Sequence, residues 1–177
     1  MMDTISEERL QPIHPVVADR IRALAAEIES TLGISLRVTR AMATIPEQTA
    51  YYSQGRFPLA VVNQRRAAVQ LAPLTDAENR AIVTDAPPYH SWHEYGMAGD
   101  VVPMAPLPDW NTNHPVWQRI VDLAANYKLI DGIHWKDEPH LQPEEIPVSP
   151  TPQYVAILMD KTKNLQDCWN LANLSGD

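Results

Sequence analysis

Apolar residues recur at three- and four-residue steps from Pro15 to Leu32, at Val17, Ile21, Leu24, Ile28 and Leu32, with Pro15 suited to a first turn and Gly33 to a stop. This spacing predicts an amphipathic helix. The period then changes, because Ile34, Leu36 and Val38 alternate with Ser35, Arg37 and Thr39 as in a strand with one face buried. Thr44 with Glu47 three places later reads as a capping box, which predicts a second helix through residues 47–54 ending near Gly55. A third is expected over residues 59–70, and Thr75 with Glu78 repeats the capping spacing before a short helix. The Pro87-Pro88 pair then imposes an extended loop, on which His93 is expected to sit.

Beyond it, the apolar run at residues 100–103 suits a buried strand. The next helix, within residues 114–129, carries Trp117, Ile120, Leu123, Ala124 and Tyr127 on one side. Strand-like pieces follow around residues 132–135 and 139–142. A proline-rich link over 143–152 leads to a last amphipathic helix from about Gln153 to Leu174. No internal repeat or low-complexity segment interrupts this order.

A length of 177 residues fits one domain, since the usual domain holds roughly 100 to 200. The 16 prolines against 6 glycines imply many stiff connections. A formal charge of -8 leaves no excess of Lys and Arg to neutralise phosphates, so neither nucleic acid nor an anionic membrane is an expected partner. The short basic clusters, Arg65-Arg66 and Arg37 with Arg40, read as solvated faces. The first 15 residues carry early acids and no apolar run, so a chain made in the cytoplasm without a signal peptide, and with no membrane insertion, is expected. Cys168, the only cysteine, excludes an internal disulfide and a multi-cysteine zinc site, and reads as a small buried hydrophobe.

Candidate chemistry starts at residues 91–100, SWHEYGMAGD, which open like the His-Glu-x-x-His zinc motif and fail to complete it at Met97. A catalytic zinc wants three nitrogen or carboxylate ligands and one open position. His93 and Asp100 flank a turn containing Gly96 and Gly99, tight enough to bring a loop imidazole beside a strand carboxylate. His140 supplies the third ligand, and Asp137, three residues earlier, is placed to act as general base on a water activated by the metal. That combination describes amide hydrolysis.

These residues resemble the zinc-dependent peptidases of peptidoglycan stem peptides, which comprise D-alanyl-D-alanine carboxypeptidases, D,D-dipeptidases and the L-alanyl-D-glutamate endopeptidases of phage lysis enzymes. Their pattern is Ser-x-His-x-x-Gly-x-Ala-x-Asp followed by Asp/Glu-x-x-His. Ser91, His93, Gly96, Ala98 and Asp100 fill the first half, and Asp137 with His140 the second. Residues 47–56 resemble the family's Glu-Gln-x-x-x-Tyr-x-x-Gly-Arg helix, so the likeness covers about 34–142.

The resemblance implies an α+β fold with a small, mostly antiparallel sheet flanked by helices, in one zinc peptidase domain spanning 1–177. It implies Zn2+ on His93, Asp100 and His140, water activation by Asp137, substrate contact by Ser91, and Trp135 lining the cleft. The Glu-Gln helix resembles the L-alanyl-D-glutamate endopeptidase branch most, with D-alanyl-D-alanine carboxypeptidase as the alternative. A bacterial peptidoglycan stem peptide is the implied partner of a monomeric enzyme that reaches the wall after phage-type lysis.

One departure is Ala43, which stands where the family carries an arginine that steadies the charged intermediate; Arg40 or Arg56 must replace it or the rate must fall. Another is the insert from about Phe57 to Arg80, a candidate lid or groove wall. His14, His90, His114 and His134 read as ordinary histidines, Glu94 as solvent-facing, and Trp117 and Trp169 as core. Trp92 and Tyr95 fit core or cleft equally. Two further readings of the ligand set are a non-haem iron oxygenase, which leaves Asp137 without a task and expects a β-helix, and a wall-binding module that keeps the metal without the chemistry.

Overall fold

The computed structural model describes residues 2–104, 106–133 and 137–176. Helix α1 (Thr4–Leu10) precedes α2 (Pro15–Leu32) and strand β1 (Ser35–Arg40); α3 (Ile45–Ser53) and α4 (Leu59–Ala68) follow as a pair. Then come β2 (Gly99–Met104), α5 (Pro115–Ala124), β3 (Leu129–Gly132), β4 (Asp137–Pro143), α6 (Pro152–Met159) and α7 (Leu165–Ala172). The four strands form one antiparallel sheet in the order β1-β2-β4-β3, so the fold is α+β as expected.

The α2 stripe of Val17, Ile21, Leu24 and Ile28 is fully buried against Leu36 and Val38 of β1, Val101 and Val102 of β2, and Trp117 and Ile120 of α5. Burying side chains of this size contributes roughly 1.5 to 3 kcal/mol each. A second cluster, Trp92, Tyr95, Met97, Ala98, Ile146, Tyr154 and Cys168, packs α6 and α7 under the turn that bears His93. Met97 therefore fills core where a zinc-motif histidine was looked for, and Cys168 is the buried hydrophobe expected.

Several expectations need correction. The C-terminal segment is two helices, because Asp160 ends the first through a turn with Thr162 and an Asn164–Asp167 capping box starts the second. His93 lies in a short 3-10 turn (Trp92–Tyr95). Helix α1 has no counterpart in the sequence reading; Asp3 caps it by accepting from the Ser6 N–H at 2.8 Å.

Candidate metal centre and its groove

Asp100 and His140 stand directly opposite one another on β2 and β4. Their neighbours Val101 and Leu141 are buried in the core, so the strand alternation turns Asp100 and His140 to the other face. His93 reaches the same point from its turn, which is tied down by Ala43 N–H donating to the His93 carbonyl at 3.0 Å and His14 N–H to the Gly96 carbonyl at 2.8 Å. Asp100 Oδ1 ends 3.0 Å from His93 Nε2 and 3.5 Å from His140 Nδ1. One ligand atom from each of the three residues lies within 4.8 Å of the others.

Hydrogen bonds behind the rings orient them for a cation. His93 Nδ1 meets the Ala41 carbonyl at 2.7 Å, so it carries the proton and Nε2 presents its lone pair. The Gln142 amide donates from Nε2 to the Pro147 carbonyl at 3.1 Å, which leaves its Oε1 as the acceptor for His140 Nε2 at 3.0 Å. His140 Nδ1 is thereby turned on Asp100. Asp100 Oδ1 itself is buried and accepts no well-aligned hydrogen bond among the described residues. Two imidazole nitrogens and an orphaned carboxylate oxygen make a donor set that suits zinc.

Burial opposes the charge on Asp100, yet the two histidines outweigh it and hold the carboxyl far below the ordinary range. Burial likewise opposes charge on His140, and Asp100 overrides it and raises the imidazole. The Asp137 residue is exposed at the groove, but desolvation of its carboxyl, followed by the neighbouring Asp100 charge, pushes it above the ordinary carboxylate value. A carboxyl raised toward neutrality can both take and return a proton.

Asp137 gets its place from an irregular ladder. Gly132 pairs with Asp137 while Asp131 pairs with Leu141, so residues 138–140 have no counterparts on β3. A Cβ at Gly132 would collide with the Asp137 carbonyl, so only glycine allows the approach.

A bulge does the same for Arg40. Val38 pairs with Val101, but the next pair is Arg40 with Asp100, leaving Thr39 over. Period two would put Arg40 on the core face with Leu36 and Val38; the extra residue returns it to the face of Asp100. Its guanidinium donates to Gln48 Oε1 at 2.7 Å, sits 4.8 Å from the Tyr51 ring, and lines the groove.

That groove, of about 860 Å³, contains His93, Asp100, His140, Asp137, Arg40, Ser91, His90 and Trp92, with a wall of residues 82–87. Ser91 lies on it and is buried, its N–H donating to Glu94. Arg56 is engaged elsewhere, with Asp85 and the Tyr52 and Thr84 carbonyls. Trp135 and His134 lie outside the described residues.

The insert 57–80 contributes nothing to the lining: α4 packs on α3, and the wall is the segment after it. Glu94 is buried and accepts from the Tyr89 and Ser91 N–H groups, so it braces the turn rather than facing solvent. Tyr95 is entirely buried, whereas Trp92 packs in the core and still touches the groove. Gln142 and the 82–87 wall were missed in the sequence. Gln142 had a signal, since two residues beyond His140 on a strand is the same face.

No protein-family model matches the sequence, and no curated protein matches it. Solved structures similar to this chain include three peptidoglycan peptidases. One is the L-Ala D-Glu endopeptidase ChiX of Serratia marcescens, with 20% identity over 81% of this chain and 90% of that one, at a TM-score of 0.49. Another is the LdcB LD-carboxypeptidase, with 15% identity over 89% and 68%, at 0.49. The third is the vancomycin resistance D,D-pentapeptidase VanY of a VanB-type cassette in complex with Zn(II), with 13% identity over 89% and 84%, at 0.45. The chemistry of this chain therefore has to be read from its own side chains.

Proposed function

We propose that the chain is a zinc-dependent peptidase that hydrolyses an amide of peptidoglycan stem peptides, in the first place the L-alanyl-D-glutamate bond. The observation that carries this reading is the meeting of His93, Asp100 and His140 around one point, with the raised Asp137 carboxyl in the same groove. His93 Nε2, His140 Nδ1 and Asp100 Oδ1 would hold the zinc, which when bound would supply Lewis acidity and lower the pKa of a water.

Asp137 then does the proton work. One of its carboxyl oxygens takes a proton from the attacking water and returns it to the amine nitrogen as the carbon–nitrogen bond breaks. Negative charge gathers meanwhile on the former carbonyl oxygen. Arg40, held by Gln48 and aimed onto this face by the bulge, is the cation we assign to that charge in place of the arginine missing at Ala43. Ser91, on the groove wall beside His93, is assigned to substrate contact. The choice of bond follows the likeness of Glu47, Gln48, Tyr52, Gly55 and Arg56 to the endopeptidase helix.

Incubation with purified peptidoglycan and mass analysis of the products tests this. Fragments ending at L-Ala and beginning at D-Glu are expected from the wild type and are lost, by at least about a hundredfold, with Asp137→Ala. Release of D-Ala alone would move the assignment to carboxypeptidase action, and equal products from both proteins would remove Asp137 from its role.

A further inference from the structure

One wall of the groove is bare main chain. It leaves Ala81 in extended conformation (φ -89°, ψ 129°) and runs to Pro87 with no helix, turn or strand partner. Residues of α3 and its C-terminal end hold it from behind. Arg56, stacked 4.1 Å from the Tyr52 ring, donates from Nη1 to the Thr84 carbonyl at 2.9 Å and from Nη2 to Asp85 Oδ1 at 3.0 Å. The fully buried Gln48 donates from Nε2 to the Ala86 carbonyl at 2.7 Å. Gly55, at φ 76°, lies against Ile82, where a Cβ would come within 2.7 Å of Ile82 Cγ1 and 3.0 Å of its nitrogen. The Gln, Tyr, Gly and Arg of the 47–56 segment thus act together on one object, the 82–86 wall.

In an extended chain the N–H and C=O of one residue point the same way and those of the next point oppositely. Thr84 and Ala86 turn their carbonyls back to α3. The Ala86 N–H bonds locally to Thr84 Oγ1 at 3.3 Å, and among the described residues no hydrogen bond reaches the backbone of Val83 or Asp85, which the alternation assigns to the side away from α3. Two such residues spaced by two are the open edge onto which an extended peptide adds as a strand.

We propose that Val83 and Asp85 form a main-chain docking edge for the substrate, an extended peptide whose backbone pairs with them as an added strand along residues 82–86. The proposal rests on the peptidase reading, because the same peptide must deliver its amide to Asp137. Exposed Ile82 and Val83 on the wall, with exposed Val148 also on the groove, favour small or aliphatic side chains at the docked positions.

Binding and turnover are measured separately. In the Asp137→Ala background, zinc-loaded protein is titrated with the stem tetrapeptide from purified peptidoglycan. Val83→Pro, which deletes the N–H, weakens binding about tenfold, while Val83→Ala stays within about twofold of its parent. Zinc content and far-ultraviolet circular dichroism of both variants match the parent. With unmodified Val83, stem peptides N-methylated at each amide flanking the cut are titrated as well, and at least one loses affinity to a similar degree. Equal affinities for the proline and alanine variants, no loss for any N-methylated peptide, or no binding by the parent overturns the docking edge. Absence of cleavage by protein with Asp137 intact, despite binding, overturns the peptidase reading instead and leaves the docking edge standing.

Discussion

Asp100 and His140 are a tightly coupled pair whose charges favour each other, and without metal that coupling makes stability depend on pH. The folded His140 imidazole is raised from its ordinary 6.5, so its contribution is complete below that value and is lost as pH rises through the folded value. The folded Asp100 carboxyl is lowered from 3.8, so its contribution is complete above 3.8 and is lost as pH falls through the folded value. Chelator-treated protein should accordingly be most heat-stable between about pH 4 and 6.5 as far as this pair is concerned. Zinc, which needs His140 neutral, should add most stability above that window. Thermal melts across pH with and without zinc check both; a zinc increment that grows toward acid pH would contradict the coordination.

At the same scale, the three residues that meet at the candidate centre were legible as a group and their supports were not. Ser91 through Asp100 carried chemistry in a fixed spacing, whereas the partners that fix each ring, Ala41 and Gln142, meet it through backbone and register.

Among elements, the clearest expectations were those with a strong local signal. The α2 stripe and its bounds, the Thr44–Glu47 capping box and the β1 alternation all appear as the sequence implied. Elements that depend on contacts distant in sequence did not. The bulge that leaves Thr39 over reverses which face Arg40 occupies, and no local pattern marks it. The split between α6 and α7 did have a mark, the Asn164–Asp167 cap, hidden within one amphipathic run.

Those two helices support the site. Tyr154 of α6 packs edge-on to Trp92 at 4.8 Å and to Tyr95 at 5.9 Å, directly beneath His93, and Trp169 of α7 donates to the Tyr95 carbonyl at 2.8 Å. Tyr154→Ala should lower the melting temperature by on the order of 10 °C, the effect of an aromatic cavity in a chain of this size. It should also weaken zinc binding about tenfold as the turn loosens. Trp110→Ala, at a side chain 57% exposed, should change neither. Calorimetry with a competitive zinc chelator reads both quantities; a Tyr154→Ala protein with unaltered zinc affinity would show that the helices stabilise the fold without bracing the site.

Across the whole molecule, one sheet face packs the core, and the other opens on the groove at its Asp100–His140 end. Helices α2 and α5 pack on the first face, α1 lies along the free edge of β1 where Ser6 Oγ accepts from the Val38 N–H, and the described helices include none long and apolar enough to cross a membrane. On the second face, strand register brings together residues separated by as many as a hundred positions, Arg40, His93, Asp100 and His140, around a groove large enough for a short peptide. Sequence spacing could suggest that these residues belong together; only the antiparallel register, two bulged ladders and the braced turn make them converge.

The most direct test of that convergence is a crystal of zinc-loaded protein measured on both sides of the zinc absorption edge. The expected result is one anomalous peak, about 2.0 to 2.2 Å from each of His93 Nε2, His140 Nδ1 and a carboxylate oxygen of Asp100. A fully loaded crystal with no peak there, or with its zinc held by other side chains, would contradict the account.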